Sequence, residues 1–430
     1  MGYDFLLCTF DGGGNVAILA RAVSRLRARG HRVRVLCDEV CRAEYEAAGA
    51  AFRPWREAPN RRDRRPESDP LHDPATPDSD GGLPRALDRL TIGPAAAYAA
   101  DTLAELRSTP AHAVLATDVL FGPGIGARAA GAPLVNLSTN LSMLTPVPGL
   151  PPAGPGFLPA TNAAERRRDA EVLAWYAGEL DKRLPILNAA RRRVGLAPLA
   201  RALDQACDCD LHVLMTSAAF DFPNPEKPAT MRYVGPDLAP PAWGGAWKSP
   251  WAPDDPRPLA LVALSTTFMG QKPQIQALLD AIAGLDMRAL VTLGPAMAGT
   301  SFRAPANAVI VDAAPHDAVM REASVVATHC GHGTVMRALA HGLPMLCLPM
   351  GRDQNDNAAR VAARGAGLRL DPGAPAEALR AALARLVAEP AFAENARGFG
   401  RAIASAEPPD ALAETLEAFV AERRSLRVSA

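Results

Sequence analysis

Residues 327–344 read Ala-Thr-His-Cys-Gly-His-Gly-Thr-Val-Met-Arg-Ala-Leu-Ala-His-Gly-Leu-Pro. An apolar run ends at His329, a glycine-bearing turn follows, and apolar residues then recur at helical spacing. The pattern predicts a strand over 324–329, a tight turn, and a helix over 333–341. Such a junction aims several unpaired backbone N–H groups and the positive end of a helix at one point. A diphosphate is the natural ligand of that geometry. Gly331 and Gly333 let a phosphate approach the backbone, Thr334 adds a hydroxyl, and His329 can donate to a phosphate oxygen.

A second polar cluster follows the next predicted strand, 345–349. It runs Pro349-Met-Gly-Arg-Asp353-Gln354-Asn-Asp-Asn357. It too sits at the carboxyl end of a strand, where open α/β sheets bind ligands. Asp353 and Gln354 suit sugar hydroxyls, since a carboxylate accepts and an amide both donates and accepts.

Outward from these motifs the chain alternates strand and helix twice. The C-terminal series predicts strands at 259–264, 288–293, 308–311, 324–329, 345–349 and 368–370. Helices are expected at 272–283, 315–322, 333–341, 355–364, 375–388 and 409–426. The N-terminal series predicts strands at 3–9, 31–37, 113–117, 134–137 and 211–216, with helices at 16–29, 84–107, 123–130 and 164–194. Two α/β units, each a doubly wound Rossmann-like parallel sheet facing the other across a cleft, account for this alternation. The expected domains are 1–235 for the acceptor and 259–408 for the nucleotide sugar. A Pro-, Gly- and Trp-bearing linker spans 236–258, and a last helix at 409–430 packs back on the N-terminal domain. Residues 57–82 are Pro-rich and charged and predict a mobile loop. Residues 145–163 predict a second loose stretch beside an apolar acceptor pocket.

Composition narrows the function classes. The 430 residues carry 46 Lys plus Arg against 46 Asp plus Glu, so the basic excess of a nucleic-acid binder is missing. The runs Arg61-Arg62-Asp63-Arg64-Arg65 and Arg191-Arg192-Arg193 are expected to be solvated faces. No window reaches the roughly 20 apolar residues of a membrane span. The seven cysteines are scattered, without C-x-x-C pairs or zinc-like His spacing, so no metal site is expected. Free thiols and an N-terminus that reads as a first strand predict a cytoplasmic enzyme.

The ordered set H-C-G-H-G-T, A-L-A-H-G-L-P and P-M-G-R-D-Q-x-x-N-A-x-R-V closely resembles the donor signature of the UDP-glycosyltransferase superfamily. That is the inverting family with the GT-B fold, which includes bacterial natural-product and macrolide-type enzymes. The resemblance implies roles at matching positions. His329, Cys330, Gly331, His332, Gly333 and Thr334 would hold the diphosphate, and Asp353 and Gln354 the transferred sugar. Ser265, Thr266 and Thr267 would add a phosphate contact, and Pro315 with His316 would border the base. Three positions depart from the family pattern. Ala313 stands near a usual stacking aromatic, His316 where Gln is frequent, and Arg337 where a ribose-binding Glu is usual. A nucleotide diphosphate sugar is the implied co-substrate, with no further cofactor. The partner is a small hydrophobic acceptor, such as a phenolic or polyketide aglycone. A homodimer is compatible with this reading.

Inverting transfer needs a general base for the acceptor. The family places a His in the loop after the first strand. Here the loop is Gly12-Gly13-Gly14-Asn15, with Gly13 at the His position and Gly13 and Asn15 beside the acceptor. Asp11 in the same loop and Asp118 after strand 113–117 are the carboxylates able to substitute. Their plainer readings are a turn residue for Asp11 and a helix N-cap for Asp118. Two rival functions remain open at this level. Gly12-x-Gly14-x-x-Ala17 with Asp38 fits a dinucleotide fingerprint, which suggests an oxidoreductase. The missing His suggests a non-catalytic, glycosyltransferase-like partner protein.

Overall fold

The computed structural model describes residues 2–71, 78–239, 247–264, 269–294 and 297–428. The first strands are apolar almost throughout, as sheets covered by helices on both faces require. They are β1 (Asp4–Cys8), β2 (Arg32–Cys37), β3 (Ala51–Pro54), β4 (Ala113–Thr117), β5 (Leu134–Ser138), β6 (Leu211–Leu214) and β7 (Met231–Tyr233). They form one parallel sheet in the order β3-β2-β1-β4-β5-β6-β7. The second sheet holds β8 (Leu259–Ala263), β9 (Arg288–Thr292), β10 (Ala308–Val311), β11 (Val325–Thr328), β12 (Met345–Cys347) and β13 (Gly367–Arg369). Its order is β10-β9-β8-β11-β12-β13, again parallel. The strand order reverses between β1 and β4 and between β8 and β11. A crevice opens at such switch points, beyond the carboxyl ends of the strands. The loops carrying Asp11, Asp118 and His329 all emerge there.

The helix Gly14–Ala28 buries Val16, Leu19, Val23 and Leu26 in the first core. Leu412, Leu416 and Val420 of the last helix, Ala411–Val428, join the same cluster. Its Glu417 accepts from Arg29 at 2.7 Å and contacts His31 Nε2 at 2.8 Å. The chain therefore ends against the domain where it began.

Polar contacts fix one domain against the other. Asp356 accepts from the N–H groups of Gly154 at 2.6 Å and Gly156 at 3.0 Å. Arg360 Nη2 donates to Asp221 at 2.6 Å, with both side chains buried. A buried ion pair adds little net stability, but losing one partner is costly, so it fixes the relative placement of its two elements. No described helix is long and apolar enough to cross a membrane.

Several expectations are corrected. The stretch 57–82 is not loose where it is described. Asp101 accepts from the N–H groups of Arg56 (2.8 Å), Glu57 (3.0 Å) and Ala58 (3.1 Å), and Trp55 is buried with Nε1 bonded to Thr9 O at 2.9 Å. The order comes from a carboxylate some 40 residues away, which local composition does not reveal. Residues 72–77 lie outside the described residues. The expected helix 84–107 is a π-turn Leu87–Thr91 followed by Ala95–Ser108, separated at Gly93-Pro94. The expected helix 164–194 is two, Ala163–Asp181 and Leu184–Arg193, the second opening with Pro185 near its N-terminus. A helix at Pro390–Ala406, absent from the sequence reading, places Phe399 and Ile403 against the second core.

Candidate active site

A cavity of about 1200 Å³ lies between the two sheets. Its N-terminal wall includes Phe10, Asp11 and Asp118; its C-terminal wall includes Met350, Arg352 and Asp353. The loose stretch after β5 supplies apolar lining at Leu144, Val147 and Leu150. The same stretch is held to the C-terminal domain through Gly154, Gly156 and Arg369, whose Nη1 donates to Gly156 O at 3.1 Å.

Asp118 ends β4 at the switch point, its N–H bonded to Leu137 O at 3.1 Å. Its Oδ2 accepts a short hydrogen bond from Ser138 Oγ. His212 Nε2 lies 2.8 Å from the same Ser138 Oγ and 4.0 Å from Asp118 Oδ2. Ser138 has one proton, and it is directed at Asp118. Its oxygen therefore accepts from His212, which places the imidazole proton on Nε2. Burial pushes Asp118 up to about 6, against the lowering pull of Ser138. Burial drives His212 down to about 4, so it is neutral where Asp118 is ionised. This is not a serine nucleophile with its base. Ser138 is fully buried, and the carboxylate holds the hydroxyl and not the imidazole. Neither Ser138 nor His212 was singled out from the sequence. The signal present was polar residues inside two largely apolar strands, Asn136 and Ser138 in Leu-Val-Asn-Leu-Ser and His212 in Leu-His-Val-Leu.

Asp11 is held differently. Its Oδ2 accepts from Arg61 Nη1 at 3.1 Å and Arg64 Nε at 3.3 Å, and its Oδ1 from Gly13 N at 3.3 Å. The basic run 61–65 is thus no simple solvated face, because two of its arginines close over this loop. Asp38 accepts from Asp11 N at 2.7 Å and Arg61 N at 2.9 Å. Both of its oxygens are engaged by backbone, so it offers no free carboxylate to a ribose and the dinucleotide reading loses its acidic partner. Asn15 accepts from Gly12 N at 3.1 Å and lines the cavity. Gly13 has φ 74° and ψ −107°, a conformation closed to side-chain-bearing residues. The His usual at this position cannot occupy this backbone.

The donor turn opens with strain. Cys330 has φ 67°, in the left-handed region, and its N–H bonds Thr328 Oγ1 at 3.2 Å. Gly331 caps the helix His332–Ala340, and a Cβ there would lie 2.6 Å from His329 Nε2. Gly333 is exposed with open space around it, and Thr334 is half-buried beside it. His329 Nδ1 is buried and has no hydrogen-bond partner among the described residues. Its other ring nitrogen, Nε2, is the one beside Gly331, so Nε2 faces the turn. Burial lowers His329 to about 4, so in the free protein it is a neutral donor and supplies no positive charge. The nearby Arg352 cation lowers it further.

His332 departs from its expected role. Its Nε2 meets Thr216 Oγ1 at 2.8 Å across the domain boundary, and its ring packs edge-on to Phe220 at 5.8 Å. Its side chain is part of the domain contact, so only its backbone remains for a phosphate. Gln354 is also committed, its Oε1 accepting from Met350 N at 2.8 Å. Asp353 is half-buried, desolvation pushes its pKa up, and its Oδ2 accepts from Asn357 at 2.8 Å. Asn357 Nδ2 also donates to Cys330 O at 2.9 Å, which ties Asp353 to the turn at 329–334. Asn357 was quoted in the motif without a role.

On the nucleoside side, His316 Nε2 lies 3.0 Å from Thr292 Oγ1 and is driven to about 4 by burial. Arg337, at the position of the usual ribose carboxylate, pairs with Asp317 and donates to Ala239 O at 3.0 Å. Ser265, Thr266 and Thr267 lie outside the described residues. Among the described residues no three His, Cys, Asp or Glu side chains converge as metal ligands.

Comparisons with known proteins agree with this architecture. Residues 276–419 match the family model described as erythromycin biosynthesis protein CIII-like, C-terminal domain. The chain is 28% identical over 409 residues to 4'-demethylrebeccamycin synthase of Lentzea aerocolonigenes, covering 92% of this chain and 94% of that one. The solved glycotransferase of kitacinnamycin superposes with a TM-score of 0.75 at 22% identity, covering 97% of this chain and 98% of the other. Glycosyltransferase VinC in complex with dTDP superposes with a TM-score of 0.66 at 20% identity over 98% of this chain and 100% of VinC.

Proposed function

Since the chain is a GT-B protein of the glycosyltransferase superfamily, related to bacterial natural-product glycosyltransferases, we propose that it moves a hexose from a nucleotide diphosphate sugar onto a small hydrophobic acceptor, with inversion. The carrying observation is that Asp118 and Asp353, one from each domain, line one cavity of about 1200 Å³. Asp353 receives sugar hydroxyls. Asp118 takes the proton of the acceptor hydroxyl, or of an electron-rich ring carbon, as that atom bonds the anomeric carbon. The bond from the anomeric carbon to the diphosphate breaks, and the diphosphate leaves with the electron pair. The donor-turn amides, the helix start, the His329 N–H and the Arg352 charge stabilise it. Of the two carboxylates, Asp118 is the better base, because both oxygens of Asp11 are engaged and one is shared by two guanidinium groups.

The dTDP held by VinC supports a dTDP-sugar over a UDP-sugar. The test is thermal shift with dTDP and UDP, followed by nucleotide release with phenolic and polyketide acceptors. Asp353→Ala and His329→Ala should each cut turnover more than tenfold with the fold intact. Full transfer by both variants means the donor assignment is wrong. Asp118→Asn should lose at least a hundredfold, and unchanged activity removes Asp118 as the base.

A further inference from the structure

We propose that Ser138 and His212 are positioning residues that act through Asp118, forming a one-way hydrogen-bond chain that orients the carboxylate toward the acceptor. The inference rests on the reading of Asp118 as the base. The chain runs from His212 Nε2–H to Ser138 Oγ, 2.8 Å away, and from Ser138 Oγ–H to Asp118 Oδ2. A hydroxyl alone can rotate its proton to either neighbour. The imidazole N–H removes that freedom, because it occupies the acceptor side of Oγ. Oδ2 is then always a hydrogen-bond acceptor, and proton uptake falls to Oδ1. Two side chains that never touch substrate thus join the backbone N–H groups of Asp118 and Val119 in holding the carboxylate. The three groups lie on adjacent strands, Asp118 after β4, Ser138 closing β5 and His212 within β6 opposite Asn136. The arrangement answers the problem set by Gly13. With no imidazole on the acceptor loop, one reaches the same carboxylate through Ser138 from the neighbouring strand β6.

Among side chains, the Ser138–His212 chain is the hydrogen-bonded restraint on Asp118 that the structure shows. From the helix Ala163–Asp181, Tyr176 feels the Asp118 charge; burial raises it, and its hydroxyl is spent on Leu144 O at 2.8 Å. On the β1 loop, Asp11 is neutralised by Arg61 and Arg64. Neither supplies a proton to Asp118. Removing the Ser138 donor destabilises the carboxylate and leaves the acid untouched, so Asp118 becomes harder to ionise.

The experiment reads Asp118 directly. Difference infrared spectra of full-length protein against Asp118→Asn follow the carboxyl band of this one residue through a pH titration. Ser138→Ala should move the midpoint upward by about one pH unit, and Ser138→Thr, which keeps a hydroxyl, should restore it. His212→Phe should move it the same way by less, and His212→Gln, whose amide still donates, should restore it. Turnover of dTDP-glucose with 4-methylumbelliferone should show the acid limb of kcat/KM moving with the midpoint while the donor KM stays unchanged. A midpoint that stays put in both Ser138→Ala and His212→Phe overturns the chain. If Ser138→Ala does not fold, the His212→Phe and His212→Gln pair decides alone. Full turnover by Asp118→Asn would instead sink the base assignment, whatever the infrared midpoints show.

Discussion

The two domains each place a glycine-rich turn between a strand and a helix at the switch point of a parallel sheet, yet only the C-terminal one leaves its backbone amides unengaged among the described residues. In the N-terminal turn the amides are consumed internally. Asp11 N bonds Asp38, Gly12 N bonds Asn15 and Phe10, and Gly13 N bonds Asp11. Two carboxylates sit among those amides, and a phosphate there would meet like charge. In the C-terminal turn, no hydrogen bond engages the N–H groups of Gly331, His332 and Gly333 among the described residues. His329 Nε2 lies beside Gly331, and Cys330 is held in the left-handed region. Glycine spacing makes a turn tight. Which groups occupy its amides decides whether it binds phosphate.

The largest expected effect tests that contrast at Gly331. Its Cβ would sit 2.6 Å from His329 Nε2, so Gly331→Val must displace the ring that the donor needs. Affinity for dTDP or UDP should fall by about a hundredfold by calorimetry, equivalent to roughly 2.7 kcal/mol. Gly333→Ala has open space around it, so the melting temperature should hold while nucleotide affinity falls by about tenfold. If both variants bind nucleotide as the parent does, the C-terminal turn is no more an anion site than the N-terminal one.

The second effect concerns the cost of keeping Asp118 ready. Its folded pKa of about 6 stands above the ordinary 3.8, so the native state holds the proton more tightly than the unfolded chain. That preference stabilises the protein below about pH 4 and is lost as pH rises through 6. Asp118→Asn keeps an oxygen for the Ser138 hydroxyl and has no charge to bury. At pH 7.5 it should be more stable than the parent, by on the order of 2 kcal/mol in chemical denaturation. At pH 4 the difference should vanish. A variant that is inactive and no more stable at pH 7.5 means burial does not strain this carboxylate.

Much of this was legible in the sequence because it is local. Strand–helix alternation follows from periodicity, and the donor turn and the Asp353 cluster follow from short ordered motifs. What was not legible depends on partners distant in the chain. Asp101 orders residues 56–58, Arg61 and Arg64 reach Asp11, and His332 turns away to Thr216. Ser138 and His212 meet across 74 residues because β5 and β6 are neighbours, which is knowledge of strand order and not of sequence. The conformation of Gly13 belongs to the same class. From sequence it is a missing His; in the structure its φ of 74° is a backbone that excludes one.

The smallest effect lies in the N-terminal turn itself, where two adjacent glycines should respond oppositely. Gly14 begins the helix, and a Cβ there meets nothing within 4 Å. Gly14→Ala should therefore leave nucleotide binding unchanged and raise stability by about 0.4–1 kcal/mol, through loss of unfolded-chain freedom. Gly13→His puts a side chain on a backbone at φ 74° and ψ −107°, at a strain cost of about 1–3 kcal/mol. It should lower the melting temperature without raising turnover, although it supplies the residue type usual at this place. Turnover rising in Gly13→His would mean that the loop relaxes around an imaged base at little cost. The acceptor side would then be a degraded copy of the usual arrangement, and the contrast between a sealed N-terminal turn and an open C-terminal one would lose half its force.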